Sequence, residues 1–365
     1  MQTERIRRLL EVLIAPAHAA DLNVAEWSDL LREARRCDLM AWLGCRLADS
    51  VPAEMLPDKV PEHLEAAQAV AGHFERTVRW EVNRITHALR SLDCQVVLLK
   101  GAAYVCSDLA LARGRRASDI DILVPKTRLS EVETALTAHG WAFLTDDEYD
   151  DRYYRAWMHE LPPLRHTARG TVVDVHHAIL PPTGRVHPDS QLLLDAARPL
   201  PGTPLFVLAP EDMVLHSAAH LFQDGDLAGG LRDLLDLDGL LRHFGGTEPG
   251  FWERLVPRAK ELQLTRPLFY ALRSSARLLR TPTPGDVLAA AETGRPSWPV
   301  LRLMDALIVR GLLPSRRDGS SWSEETARLL LYMRSHWLRM PAPLLARHLL
   351  HKAIRRWSQK SADEN

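Results

Sequence analysis

The sequence is poor in cysteine, and the few cysteines that it has follow no pattern. Among its 365 residues there are four, with no C-x-x-C pair and no dense framework among them. This excludes a scaffold held together by disulfides and is typical of reduced thiols in a cytosol. The four cysteines are interpreted as small core residues: Cys37, Cys45, Cys94 and Cys106.

An excess of one charge is also missing, because 46 lysines and arginines face 47 aspartates and glutamates. The net charge of -1 supplies no overall positive field for a nucleic-acid backbone, although a locally basic groove stays compatible with it. The chain also lacks the roughly 18 uninterrupted apolar residues of a membrane span, and its N-terminus lacks the apolar region of a signal peptide. These absences predict a cytoplasmic protein that makes no use of a membrane.

The composition is that of an ordinary globular protein, with 46% hydrophobic and 25% charged residues, and the length exceeds the usual size of one core. Apolar residues recur at spacings of three and four near both ends, which predicts helices, whereas β-branched runs cluster in the middle. We therefore expect an α+β fold in which a small mixed sheet lies between two helical regions. Its expected parts are an N-terminal helical region (1–90), an α/β core (91–182) and a C-terminal helical domain (183–365).

The central unit has the clearest order of elements. The apolar run Gln95–Lys100 is followed at once by Gly101 and a helical stretch, which predicts a strand, a turn and a helix. A second strand is predicted at Asp119–Val124. Further on, Met158–His166 and Thr171–Ile179 flank turn residues and predict a β-hairpin.

Asp119 and Asp121 stand two residues apart in the second predicted strand. Because side chains alternate along a strand, the two carboxylates share one face while Ile120 points to the other. Close carboxylates repel each other unless a cation lies between them, and Mg²⁺ is an oxygen-seeking ion suited to that position. A lone Asp-x-Asp is more often a turn or a solvated surface, but this pair lies inside an apolar strand after a strand–Gly–helix unit. That setting favours a metal site.

A third acid, Asp174, lies among β-branched residues of the second hairpin strand. If the strands are adjacent, Asp174 joins Asp119 and Asp121, and three acids could hold two ions that grip a triphosphate and stabilise the leaving pyrophosphate. We predict that these three are the catalytic and metal-binding residues, with Mg²⁺ or Mn²⁺ as the ion and Asp174 as a candidate general base. His176 shares the face of Asp174 and either orients the site or has a structural role.

Several segments resemble a known family. They are Leu99-Lys100-Gly101, the run from Arg115 to Val124, and Val173-Asp174-Val175-His176, together with the later segments PEDMVLH and LRDLLD. Over roughly residues 98–242 the chain is similar to the bacterial family called uncharacterised nucleotidyltransferase, of the DNA polymerase β-like nucleotidyltransferase superfamily. The first 90 residues carry no recognisable motif.

The resemblance implies an enzyme that passes NMP from a nucleoside triphosphate to an acceptor. It assigns Asp119 and Asp121 as ligands of a divalent metal ion and Asp174 as the acid that completes the site. ATP is the expected donor, and the expected acceptor is a hydroxyl group of a small molecule or a protein rather than RNA.

The resemblance also implies a group of residues around the phosphates. Lys100 and Gly101 would lie against them, because glycine allows close backbone approach and lysine supplies a positive charge. Arg115 aligns with an arginine that the family carries before its acids, and it would reach a phosphate oxygen. Ser118 is placed in the same nucleotide-binding group. The chain departs from the wider superfamily at Ala102, where a serine or glycine is usual.

Four other polar residues have competing explanations. His216 and His220 lie four residues apart on a predicted helix and could face one metal ion, but without the glutamate of H-E-x-x-H, packed or capping histidines are favoured. Asp233 and Asp236 share a helix face and could bind a second cation, but acids beside arginines on a solvated helix surface are the commoner arrangement.

Two other function classes stay open from the sequence alone. One is a non-catalytic scaffold that binds nucleotides or docks a partner, against which the intact acids argue. The other is a toxin-like nucleotidyltransferase that acts on tRNA or a protein, which would need a basic channel leading to Asp119. The sequence leaves the oligomeric state undefined.

Overall fold

The helices dominate the chain and enclose a mixed sheet, as seen in a computed structural model. It describes residues 2–117, 119–144, 148–224, 227, 230–312, 322–341, 343 and 345. In chain order the α-helices are α1 (Gln2–Ile14), α2 (Val24–Arg36), α3 (Met40–Ala48), α4 (Val60–Leu89), α5 (Lys100–Cys106), α6 (Leu129–Ala138), α7 (Glu148–Trp157), α8 (Ser190–Ala196), α9 (Pro210–Ala219), α10 (Leu231–Thr247), α11 (Phe251–Glu261), α12 (Thr265–Leu279), α13 (Gly285–Ala291), α14 (Trp298–Gly311) and α15 (Trp322–Arg339). The expected α+β class is confirmed.

The sheet has seven strands in the order β3-β4-β5-β2-β1-β7-β6. The strands are β1 (Val97–Leu98), β2 (Asp119–Leu123), β3 (Trp141–Phe143), β4 (Leu164–His166), β5 (Val172–His176), β6 (Arg198–Pro199) and β7 (Phe206–Val207). β2 pairs with β5 and β1 with β7 in parallel, and the other neighbours are antiparallel. The predicted hairpin is therefore present as β4 and β5, in shorter strands than the sequence indicated.

The centre of the sheet is the pair β2 and β5, which are the longest strands of the sheet. β2 is apolar apart from its two acids, and from Ile120 to Leu123 its residues are buried. Such a run is typical of a strand that is covered on both faces. The parallel pairing sets Asp121 directly beside Asp174. The same register places Ile120 beside Val173 and Ile122 beside Val175.

The sheet extends beyond the central unit that the sequence outlined. β7 pairs with β1 and β6 pairs with β7, so a segment after residue 182 adds two strands to one edge. Each of these strands has only two residues, so no alternating pattern in the sequence could have predicted them.

Helices cover the sheet from both ends of the chain. α4 contacts α5, α6 and β2, while α9, α10 and α12 pack on one another. Helix ends carry local signals. The side chain of Asn23 accepts a hydrogen bond from the backbone N–H of Glu26, the side chain of Glu26 accepts one from the backbone N–H of Asn23, and Pro210 lies in the first turn of α9. In the described ranges, no helix combines the length and the apolar character needed to cross a membrane.

Candidate active site

The three acids proposed from the sequence lie at one end of β2 and in β5. Asp121 and Asp174 are register partners on the adjacent parallel strands, so their side chains leave the same face of the sheet. Asp119 begins β2, two residues before Asp121, and its side chain is exposed, whereas Asp121 is only 4% exposed. The structure therefore brings together carboxylates from two distant segments, with one at the surface and one in the interior.

Asp121 is surrounded by positive and polar neighbours. Lys100 Nζ donates to its Oδ1 at 2.7 Å, and His176 Nε2 lies 3.0 Å from the same oxygen. Burial alone would raise the pKa of Asp121, but the Lys100 ammonium and His176 outweigh burial and hold that pKa well below its usual range. Asp121 is therefore a carboxylate at any physiological pH.

Asp174, one strand away, has the opposite environment. Its Oδ1 is buried and has no hydrogen-bond partner in the part of the chain that the structure describes. Burial and the nearby negative charges of Asp121, Glu160 and Asp119 together raise the pKa of Asp174 to about 7, and His176 opposes this shift. An orphaned acceptor beside a second carboxylate is the arrangement that a bound cation would complete, so these residues fit a divalent metal ion.

Lys100 occupies a strained turn between β1 and α5. It is the first residue of α5, yet its φ is +44°, in the left-handed region that costs a residue with a side chain about 1–2 kcal/mol. Burial would lower the pKa of Lys100, but Asp121 outweighs burial and raises it. The turn thus holds a charged ammonium against Asp121, and the contact of Lys100 with phosphates stays a prediction.

Gly101 and Arg115 meet directly behind this turn. A Cβ on Gly101 would collide with the Arg115 guanidinium and would lie 2.9 Å from the Cβ of Ala117, so the turn needs glycine to let that arginine pass. Arg115 Nε donates to Asp236 Oδ2 at 2.9 Å, and both side chains are at least 90% buried. Arg115 is therefore already paired with a carboxylate.

Asp236 corrects the sequence interpretation. The sequence placed Asp236 on a solvated helix surface, but its side chain faces the interior from α10 and the residue is only 6% exposed. Burial raises the pKa of Asp236, and Arg115 opposes this effect. Its helix-face neighbour Asp233 lies beside it and forms a pair with Arg232, Nε to Oδ1 at 3.6 Å.

These residues line one cleft of about 150 Å³ between the sheet and the helices α9 and α10. Asp174 adjoins the cleft on β5 without lining it, and Ser118 lies outside the described residues. The lining residues are Lys100, Gly101, Tyr104, Arg115, Asp119, Asp121, Ser217, His220, Arg232, Asp233 and Asp236. Acids from a strand and from a helix thus face the same space.

His216, in α9, and His220, directly after it, lie in different environments. His220 lines the cleft, whereas His216 is buried, and burial lowers the pKa of His216 well below its ordinary value. Packed or capping histidines were the favoured interpretation for both, and packing describes His216.

Two residues beside the acids were missed. His159 and Glu160 precede β4, and Glu160 forms an isolated antiparallel bridge with His176. Glu160 Oε2 lies 3.3 Å from His176 Nδ1. The predicted hairpin contained both residues, and extending its register back from the turn would have set Glu160 opposite His177, one residue away from the bridge that it forms with His176.

Comparison with known proteins adds one match. The sequence model of a family described as "Uncharacterised nucleotidyltransferase" matches residues 23–280, which is more than half of the chain and includes the whole cleft. No curated protein matches the chain.

Proposed function

The chain belongs to the uncharacterised nucleotidyltransferase family, and on that premise we propose that it transfers NMP from ATP to a hydroxyl group of a small molecule or a protein, with Mg²⁺ or Mn²⁺ as the metal ion. Membership of the family makes the chain a nucleotidyltransferase and implies a nucleoside triphosphate as substrate, and the use of a divalent metal ion is part of the proposal. The donor base, the identity of the ion, the acceptor and a cytoplasmic location are parts of the proposal.

The observation that supports this function best is the side-by-side placement of Asp121 and Asp174 on neighbouring strands. Two carboxylates at register partners are costly without a cation, and the orphaned Oδ1 of Asp174 is a vacant acceptor at that position. Asp119 adds a third carboxylate at the open end of β2, where a triphosphate can approach from solvent.

We assign the metal ligands to Asp119, Asp121 and Asp174. A divalent ion there would neutralise charge on the triphosphate and lower the pKa of the attacking hydroxyl. Asp119 is the exposed member and meets the substrate first, while Lys100 keeps Asp121 ionised before any ion arrives.

The transfer itself is an in-line displacement at the α-phosphorus. The acceptor oxygen forms a bond to that phosphorus, the bond from phosphorus to the bridging oxygen breaks, and pyrophosphate leaves with the electron pair. We propose that Asp174 takes the proton of the acceptor hydroxyl; its pKa of about 7 describes the chain without a metal ion, and a bound ion would keep it in the carboxylate form that accepts a proton. Lys100, held against Asp121 by the turn before Gly101, is proposed to supply positive charge to the phosphates as well.

The test is metal-dependent transfer of label from α-labelled nucleoside triphosphates to components of a cell extract. We expect label from ATP in a small-molecule or protein fraction, dependent on Mg²⁺ or Mn²⁺, and lost in Asp119→Asn and Asp121→Asn. Asp286→Asn, an exposed aspartate on α13, is the matched control and should keep full activity.

Each other outcome removes a defined part of the proposal. Label in RNA would replace the acceptor class and favour a toxin-like enzyme. Nucleotide binding without transfer, in the presence of every extract fraction, would favour a scaffold and remove the enzymatic mechanism.

A further inference from the structure

A second group of metal-binding side chains lies behind the three acids. In the described part of the chain, His159, Glu160 and His176 each offer one ligand atom, and these atoms lie within 4.8 Å of one another. The two imidazole rings are 5.2 Å apart, and both histidines are at least 93% buried. Two imidazoles and one carboxylate are a common ligand set of catalytic zinc and of related transition metals.

His176 lies between two carboxylates, and each of its ring nitrogens faces one of them. His176 Nε2 lies 3.0 Å from Asp121 Oδ1, so the proton of a neutral imidazole belongs on Nε2. Nδ1 then presents a lone pair to Glu160 Oε2 at 3.3 Å, and it has no hydrogen-bond partner among the described residues. The Nδ1–Oε2 contact lacks hydrogen-bond geometry, so a proton on Nδ1 is poorly placed to bridge the two atoms, whereas a metal ion between them would bind both.

The separation of these atoms matches coordination by a small ion. A tetrahedral ion with bonds of about 2.0–2.1 Å holds neighbouring ligand atoms about 3.3–3.4 Å apart, the distance observed between His176 Nδ1 and Glu160 Oε2. The third residue is available too: Nδ1 of His159 is buried and has no hydrogen-bond partner in the described ranges. Burial also lowers the pKa of His159 well below its ordinary value, so its ring is neutral.

The link from His176 to Asp121 completes a further pattern of metal sites. Histidine ligands commonly donate their second ring N–H to a carboxylate, which fixes the tautomer and makes the ligand nitrogen more basic. Asp121 occupies that position, since its Oδ1 receives His176 Nε2 as well as Lys100 Nζ.

We propose that His159, Glu160 and His176 bind a Zn²⁺-like transition-metal ion, at a site separate from the Mg²⁺ carboxylates and joined to them through the His176–Asp121 contact. The nitrogen ligands select this class of ion over Mg²⁺, which prefers an all-oxygen shell. The ion holds His176 in the tautomer that donates to Asp121, and it thereby positions that acid.

The test uses the full-length protein, stripped with a chelator and titrated with Co²⁺, whose visible d–d absorption reports nitrogen and oxygen ligands directly. We expect one equivalent to bind, to be displaced by Zn²⁺ and to resist millimolar Mg²⁺. His159→Ala and Glu160→Gln should each weaken binding more than about 100-fold. His63→Ala on α4 and Glu253→Gln on α11 are exposed controls and should leave the affinity unchanged.

Three results would overturn the proposal: no Co²⁺ band in the wild-type chain, equal affinity in both ligand variants, or affinity lost in His216→Ala and kept in His159→Ala. Glu160→Gln keeps the size of the side chain and decides the matter if His159→Ala fails to fold. A ¹⁵N NMR spectrum adds an independent readout, because Zn²⁺ should shift Nδ1 of His176 and leave Nε2 protonated. The assay needs no nucleotide, so Zn²⁺ binding without NMP transfer would preserve this inference while removing the proposed function.

Discussion

The two walls of the cleft carry acids in opposite states. On the helical wall, Asp236 is buried against Arg115, so its charge is balanced within the protein. On the sheet wall, Asp119 is exposed and Asp121 is balanced by Lys100. Asp174, which adjoins this wall, keeps a buried oxygen with no hydrogen-bond partner in the described residues. The acids on the sheet side can therefore still bind a cation, whereas Asp236 on the helical wall is already paired with Arg115.

This difference separates a binding surface from a supporting one. A carboxylate that is satisfied inside the fold contributes to stability and gains little from a ligand, while an unsatisfied one is destabilising until a ligand arrives. Function and stability should consequently respond to different substitutions on the two sides of one cavity.

The largest expected effect is on catalysis at the sheet wall. Asp119→Asn should lower kcat/KM for NMP transfer by about a thousandfold, which corresponds to roughly 4 kcal/mol of transition-state stabilisation. Because Asp119 is exposed, the free energy of unfolding should change by less than about 0.5 kcal/mol. Steady-state kinetics and urea unfolding measure the two quantities, and an equal loss of stability would show that the two walls do not differ.

The next largest effect is on stability at the helical wall. Arg115→Met leaves Asp236 buried without its cation and should lower the free energy of unfolding by about 3–5 kcal/mol. The double variant Arg115→Met with Asp236→Asn should recover most of that loss, because it removes the uncompensated charge. Urea unfolding of both variants checks this, and a single-variant loss below about 1 kcal/mol would contradict it.

A smaller effect follows from the protonation of Asp174 in the metal-free chain. Its pKa is about 7 when folded against an ordinary 3.8, so between those values the folded state keeps a proton that the unfolded state has released. Stability from this group therefore falls as pH rises from about 4 to 7 and is constant above that. The free energy of unfolding of Asp174→Asn, relative to that of the wild type, should therefore rise by roughly 2–3 kcal/mol between pH 5 and pH 8. Urea unfolding with chelator at the two pH values measures the gain, and parallel curves would refute the shifted pKa.

The smallest expected effect is on the stability contributed by an exposed ion pair outside the cleft. Arg198 and Glu248 form the same type of pair as Arg115 and Asp236, with contacts of 2.9 and 3.1 Å, but the side chain of Arg198 is 46% exposed. Arg198→Ala should cost less than about 1 kcal/mol. Thermal unfolding tests this, and a loss near that of Arg115→Met would show that burial is not what distinguishes the two pairs.

The sequence was sufficient to predict the fold class, the family and the strand that carries Asp119 and Asp121. The alternation of acid and apolar residues sets which side chains share a face, and that is a local property. It also predicted a hairpin whose second strand holds Asp174, although the parallel pairing of β5 with β2 depends on a contact that no local pattern specifies.

The burial of Asp236 on the helical wall could not be predicted in this way. The spacing of Asp233 and Asp236 shows that they share a face of α10, but only the packing of α10 against the segment before β2 decides whether that face is wet or dry. The interpretation as solvated acids was wrong for Asp236 because its partner, Arg115, lies 121 residues away in the chain. Glu160 was missed for a related reason, since its relation to His176 needs the strand register.

The parallel register of β2 and β5 also bears on how the protein is made. A ribosome-bound chain that ends before β5 carries Asp119 and Asp121 without the neighbour at Asp174, and until α10 emerges Arg115 has no carboxylate to receive it. Nascent fragments that end before β5 therefore lack the three-acid cluster that we propose as the reactive centre. On that proposal, nucleotide is consumed only after β5 has been synthesised and has paired with β2.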